Sequence, residues 1–184
     1  MFIRTERLLL RPVWAQDRDG LIAGLDNWNV AQMLGRLPWP YGLAEANAFI
    51  AIQEDMPAHR NSLSIFLRTP SRLYLVGGAS VEDRARRGLE LGYWIAESHW
   101  GQGIAVEAAS AMLEMAFLSL RAPVVSAGHY VDNPASGKVL RKLGFQATGE
   151  IRAQFSVSRN AHVDCVEYAL TRGAWSGRHS RAAT

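Results

Sequence analysis

Apolar and polar positions along the chain alternate with two different periods, and the switches between them mark out the elements. Residues 3–11 (I-R-T-E-R-L-L-L-R) have the pattern of a strand with one buried face. Residues 16–29 put Leu21, Leu25 and Trp28 on one helical side, and residues 44–56 predict a second helix that ends before Pro57. Residues 62–68 and 73–82 predict two strands separated by a Thr-Pro-Ser turn, with a charged turn over 83–88. A strand over 89–95 (L-E-L-G-Y-W-I) then leads through a glycine-rich turn into a long helix over 104–120. A short buried strand over 124–129, a helix over 133–143 stopped by Gly144, and a hairpin over 145–157 and 162–171 complete the chain. The order β-αα-βββ-α-β-α-ββ predicts a mixed α/β fold. With no repeat, linker or low-complexity block, one domain is expected over 1–175, followed by a flexible basic tail over 176–184.

The glycine-rich turn carries chemistry. Trp100-Gly101-Gln102-Gly103 opens a helix directly after a strand, and the first amides of a helix have no intrahelical acceptor. Those orphan donors and the helix dipole favour an anion, and a glycine lets a phosphate approach the backbone closely. Two familiar phosphate motifs fail here. A dinucleotide fingerprint needs a third glycine, but Gly103 is followed by Ile104-Ala105-Val106, and no acid follows the helix in Arg121-Ala122-Pro123-Val124. A P-loop needs glycine where Asp132 stands, and Ser or Thr where Val139 follows Gly137-Lys138.

A third pattern does fit. The chain resembles the GNAT acetyltransferases, and within them the ribosomal-protein N-terminal acetyltransferase (RimJ/RimL-like) branch, over nearly its whole length. The resemblance rests on Thr5-Glu6-Arg7-Leu8-Leu9-Leu10-Arg11-Pro12, Pro38-Trp39-Pro40-Tyr41, Gly92-Tyr93-Trp94-Ile95, Trp100-Gly101-Gln102-Gly103, Glu107-Ala108, and Asn133-Pro134-Ala135-Ser136 followed by Leu140-Arg141-Lys142-Leu143-Gly144-Phe145. It implies a mostly antiparallel sheet in which the strands before and after the long helix run parallel and splay apart. Acetyl-CoA is the implied cofactor, its pantetheine arm lying in that wedge. Cofactor contacts are expected from Tyr93, Trp94, Ile95, Gly101, Gln102, Gly103, Ile104, Ala105, Val106, Asn133 and Ser136. Trp39 and Tyr41 are expected to line the acceptor pocket. Ser136 is the candidate donor to the leaving thiolate, with Tyr130 ranked second. Glu90 is the candidate base, ahead of Glu82, Glu150, Asp164 and Glu167, for each of which a solvated surface position is the commoner alternative.

The resemblance implies an N-acetyltransferase acting on a protein N-terminal α-amine or a small-molecule amine. A non-catalytic acyl-CoA-binding module and an enzyme using another acyl donor, such as succinyl-CoA, stay open at this point, and a homodimer is compatible with the family. The bulk composition adds bounds. The 184 residues suffice for one real core, and a net charge of +3 is too small to argue for nucleic acid. No apolar stretch has the length of a membrane span, and Met1-Phe2-Ile3-Arg4 leads straight into a strand. The single cysteine, Cys165, suits a reducing cytoplasm and is expected to be a small buried residue. The five histidines lack metal-ligand spacing, so no metal site is expected.

Overall fold

The computed structural model describes residues 1–55, 61–84 and 88–182, with side chains described through Arg178. Eight strands form one sheet in the order β1-β2-β3-β4-β5-β6-β8-β7. The strands are β1 (Ile3–Arg4), β2 (Leu8–Arg11), β3 (Asn61–Arg68), β4 (Leu73–Asp83), β5 (Leu89–Ile95), β6 (Val124–Tyr130), β7 (Gln146–Ser156) and β8 (Ala161–Thr171). All neighbours pair antiparallel except β5 and β6, which are parallel. The helices are α1 (Arg18–Leu25), α2 (Trp28–Ala31), α3 (Leu43–Glu54), α4 (Ile104–Glu114), α5 (Pro134–Leu143) and α6 (Arg172–Ala182). None is long and apolar enough to cross a membrane.

Two apolar clusters sit on opposite faces of the sheet. The larger packs α4 and the following π-helical turn (Met115–Ser119) on one face through Met112, Leu113 and Phe117, all fully buried. The smaller joins α1 and α3 over the other face through Leu21, Leu25, Ala46 and Ile50. Two glycines make room there. A Cβ on Gly24 would lie 2.8 Å from the Trp94 ring, and one on Gly78 would lie 2.5 Å from it.

Three elements differ from the sequence expectation. The first strand is a hairpin, because the chain turns at residues 5–7 and pairs Ile3 with Leu10. The Thr5 hydroxyl accepts from Leu8 N at 3.0 Å, which closes the turn. The first predicted helix is divided at Asp26-Asn27, where Asn27 Oδ1 accepts from Asn29 N at 2.9 Å and caps α2 instead. The C-terminal segment, expected to be a flexible tail from residue 176, continues as α6 to Ala182. Trp175 is buried against Phe117 with ring centroids 5.2 Å apart, so tertiary packing anchors the helix start. The charged turn expected over 83–88 lies partly outside the described residues.

Candidate active site

The parallel pair supplies the site. Strands β5 and β6 pair only at Leu89↔Val125 and Glu90↔Ser126, whereas β5 pairs with β4 along its whole length. Beyond Glu90 the two strands part, leaving the main chain of residues 91–95 without a partner strand on that side. The open edge leads directly to the glycine loop. The indole of Trp100 donates from Nε1 to Ile95 O at 2.7 Å and fixes the end of β5 to the start of the loop.

Gly101 and Gly103 have φ of +74° and +78°, the left-handed region that favours glycine, and Gly103 is the N-cap of α4. A Cβ on Gly101 would meet nothing within 4 Å. The loop therefore presents bare backbone to open space at a helix N-terminus. Gly101, Gly103, Ile104, Ala105 and Val106 all line one large cavity of about 1380 Å³. Gln102 is turned away, with its side chain on Ser98 O at 3.3 Å and its carbonyl accepting from Arg7 Nη1 at 3.0 Å.

A clamp holds this helix start. Glu107 accepts from Thr5 Oγ1 at 2.5 Å, Arg7 N at 2.9 Å and Arg7 Nε at 2.8 Å. Burial alone would raise the Glu107 carboxyl. The hydrogen bonds from Thr5 and Arg7, together with the Arg7 charge, outweigh it and hold the group below its ordinary value of 4.5. A folded-state value below the unfolded one gives stability that is complete above the ordinary value and is lost as pH falls through the folded one. Glu107→Gln is expected to cost about 1 kcal/mol, or roughly 2–4 °C in Tm at pH 7. Thermal melts should show the difference from wild type closing as pH is lowered below that range. A difference independent of pH would remove the charged clamp.

At the far side of the wedge, Asn133 caps α5 by accepting from Ser136 N at 3.2 Å, and Pro134 starts the helix. Ser136 thus stands in the first turn, facing β5. The Tyr93 hydroxyl crosses the wedge and meets Ser136 Oγ at 2.8 Å and Ser136 O at 3.3 Å. Burial pushes the Tyr93 phenol up to about 12, and the Ser136 hydrogen bond pulls in the opposite direction. No sequence signal points to this side-chain bridge, which joins residues 43 positions apart.

The other half of the cavity lies on the face covered by α1 and α3. Tyr41 lines it and is 2% exposed, while Trp39 sits outside it, packed edge-on against Trp28 with centroids 5.6 Å apart. The expected aromatic pair is therefore split, because the chain turns Tyr41 inward and leaves Trp39 on the surface. Burial, and then the charge of Glu45, pushes the Tyr41 phenol up to about 12. Tyr130 lines the same half, buried, and its hydroxyl makes no well-formed hydrogen bond within the protein. It stands on the opposite sheet face from Ser136.

The sheet floor of this half carries charges in matched sets. Glu90, at the base of the wedge, pairs with Arg84 at 3.3 Å. Glu82 stands opposite Glu90 in the register and pairs with Arg84 at 3.3 Å and Arg36 at 3.0 Å. Glu167, 7% exposed, pairs with Arg152 at 2.9 Å. Glu82, Glu90 and Glu167 all line the cavity, Glu167 buried and Glu82 and Glu90 half-buried. Glu150 and Asp164 are exposed and outside it. Strand period was the available signal for Glu167. It lies two residues from Cys165, which the sequence already placed in the interior, so both share a face.

Residues 7–146 match the family model described as acetyltransferase (GNAT) domain. A Bacillus licheniformis protein named uncharacterized N-acetyltransferase p20 is 26% identical over 175 residues, covering 94% of this chain and 97% of that one. The solved structure of a GNAT-family acetyltransferase from Bacillus anthracis superposes with a TM-score of 0.79 at 22% identity, over 94% of this chain and 99% of that one. A structure described as RimL, the ribosomal L7/L12 α-N-protein acetyltransferase in complex with coenzyme A, superposes with a TM-score of 0.75 at 20% identity, over 93% and 98%. At these identities the structural likenesses bear on the fold.

Proposed function

We propose that this chain, which belongs to the GNAT acetyltransferase family, transfers an acetyl group from acetyl-CoA to a single primary amine, either a protein N-terminal α-amine or a small-molecule monoamine. The observation that carries the proposal is the wedge: an unpaired strand edge running into a bare glycine loop at a helix N-terminus, within one cavity. An amide-bearing arm can pair with such an edge as a surrogate strand, and a pyrophosphate fits the loop. The RimL structure that shares this fold contains coenzyme A. The residues here fit the same group. The main chain of Tyr93 and the N–H of Ile95 offer partners on the open edge, whereas Trp94 turns its main chain to β4. Gly101, Gly103 and the amides of Ile104, Ala105 and Val106 offer the phosphate cradle, and Asn133 and Ser136 close the opposite wall.

When bound, acetyl-CoA supplies an activated acetyl thioester. The chain's own residues then hold the reacting groups and offset charge. A main-chain N–H on the open edge of β5 would polarise the thioester oxygen. Ser136 offers a hydroxyl to the departing sulfur, and Tyr130 stays the second candidate. Glu90 and Glu167 are the carboxylates from which base assistance would come, and both are held by arginines. An α-amine titrates near 8 and is partly neutral at pH 7, whereas a lysine near 10.4 is almost wholly charged. The α-amine therefore needs less help from a base.

Charge matching supports a monoamine. In the acceptor half, Glu82 is paired with Arg36 and Arg84, Glu90 with Arg84, and Glu167 with Arg152. The wall opposite the charged floor is apolar, with Val13, Leu21, Leu25 and Phe49. A polyamine or aminoglycoside would bring several charges to carboxylates that already have arginine partners. The test is an acetyl-CoA turnover panel of peptides with free N-termini, apolar monoamines, polyamines and aminoglycosides. Expected is a kcat/KM at least tenfold higher for the best monoamine or peptide than for any polycation, about 1.4 kcal/mol. A polycation as the best acceptor would overturn the reading.

A further inference from the structure

Resting on the acetyl-transfer reading above, we propose that Tyr93 is a positioning residue that aims the Ser136 hydroxyl at the departing sulfur. The two hydroxyls carry one hydrogen each, and the geometry allows two arrangements. In the first, Tyr93 donates to Ser136 O across 3.3 Å and receives the serine's hydrogen, which leaves nothing for the sulfur. In the second, Tyr93 donates to Ser136 Oγ across 2.8 Å, and the serine's own hydrogen turns away into the wedge. Both arrangements use the 2.8 Å contact, and the first adds only a 3.3 Å bond outside the preferred O–H···O distance, so an acceptor sulfur in the wedge tips the pair to the second. A phenol is also the better donor of the two hydroxyls.

Two further features hold this arrangement in place. Asn133 fixes the serine's backbone through Ser136 N at 3.2 Å, so the Oγ has a defined position. Burial keeps the Tyr93 phenol protonated throughout the neutral range, so its hydrogen is always present. As the amine nitrogen bonds to the acetyl carbon, the C–S bond breaks and its electron pair leaves on sulfur. Ser136 O–H then hydrogen-bonds the developing thiolate, while the extra proton of the new amide nitrogen passes to water. Neither hydroxyl has to change its protonation state.

The test titrates the thiol of coenzyme A bound to the full chain, followed by thiolate absorbance. Free coenzyme A, titrated alongside, supplies the reference. The bound thiol is expected to titrate lower in the wild type, and Tyr93→Phe should move it back up by about half a pH unit or more, a threefold change in the thiolate equilibrium. Ser136→Ala should do the same, with the double variant going no further than Ser136→Ala alone. Affinity for coenzyme A should hold within about twofold. An unchanged titration in Tyr93→Phe, or additive effects in the double variant, would overturn the proposal. If the Phe variant does not fold, 3-fluorotyrosine at position 93 keeps the ring and strengthens the donor. It should shift the bound thiol further down, and no shift would again overturn the proposal. A wild type that does not bind coenzyme A would instead refute the parent reading.

Discussion

Gly103→Glu is expected to lower affinity for acetyl-CoA by at least tenfold, about 1.4 kcal/mol, in a protein that still folds. Two effects combine. The backbone at Gly103 holds φ at +78°, so any L side chain pays a local strain of about 1 kcal/mol. The new carboxylate would also stand at the mouth of the loop, opposing the pyrophosphate that the helix start is built to receive. Space is not the obstacle, because a Cβ there meets only Arg7 Nη2, at 3.5 Å. Gly103→Ala separates the two effects. It keeps the strain but adds no charge, so calorimetry should place it between wild type and Gly103→Glu. Equal affinity in folded Gly103→Glu would mean that the phosphates bind elsewhere.

Ser136→Ala is expected to lower kcat by about 10²-fold, near the low end for losing one hydrogen-bond donor to developing charge, since water can substitute in part. The cap at Asn133 uses the backbone N–H of Ser136, so the helix start should survive the change. The loss should therefore fall on kcat, with the dissociation constant for acetyl-CoA nearly unchanged. If affinity drops while kcat holds, Ser136 is a binding residue and Tyr130 becomes the donor candidate. Tyr130→Phe measured beside it separates the two candidates, since Tyr130 lines the same cavity.

What was legible in the sequence was what neighbouring residues decide. The strand over 89–95, the glycine loop, the start of α4, the Asn133 cap and the Gly144 stop all depend on contacts within a few residues, and all stand where the pattern put them. The split first helix was legible too, since Asn27 is a strong N-cap residue, but the apolar spacing of Leu21, Leu25 and Trp28 masked it. Other features were made by distant partners. The turn at residues 5–7 is held by Glu107, a hundred positions away. The helix at the C-terminus rests on the packing of Trp175 against Phe117. The same holds for the site. Its glycine loop could be seen as a local motif. The Tyr93–Ser136 bridge joins β5 to the first turn of α5, residues that only tertiary packing brings together.

The most direct test of acetyl transfer follows free thiol and acetylated amine together, with acetyl-CoA and the best monoamine or peptide acceptor from the panel. Thiol release should depend on the amine, match acetylated product one to one by mass spectrometry, and fall in Gly103→Glu as affinity falls. A folded protein that binds acetyl-CoA but acetylates no amine would contradict acetyl transfer and leave a binding module in its place.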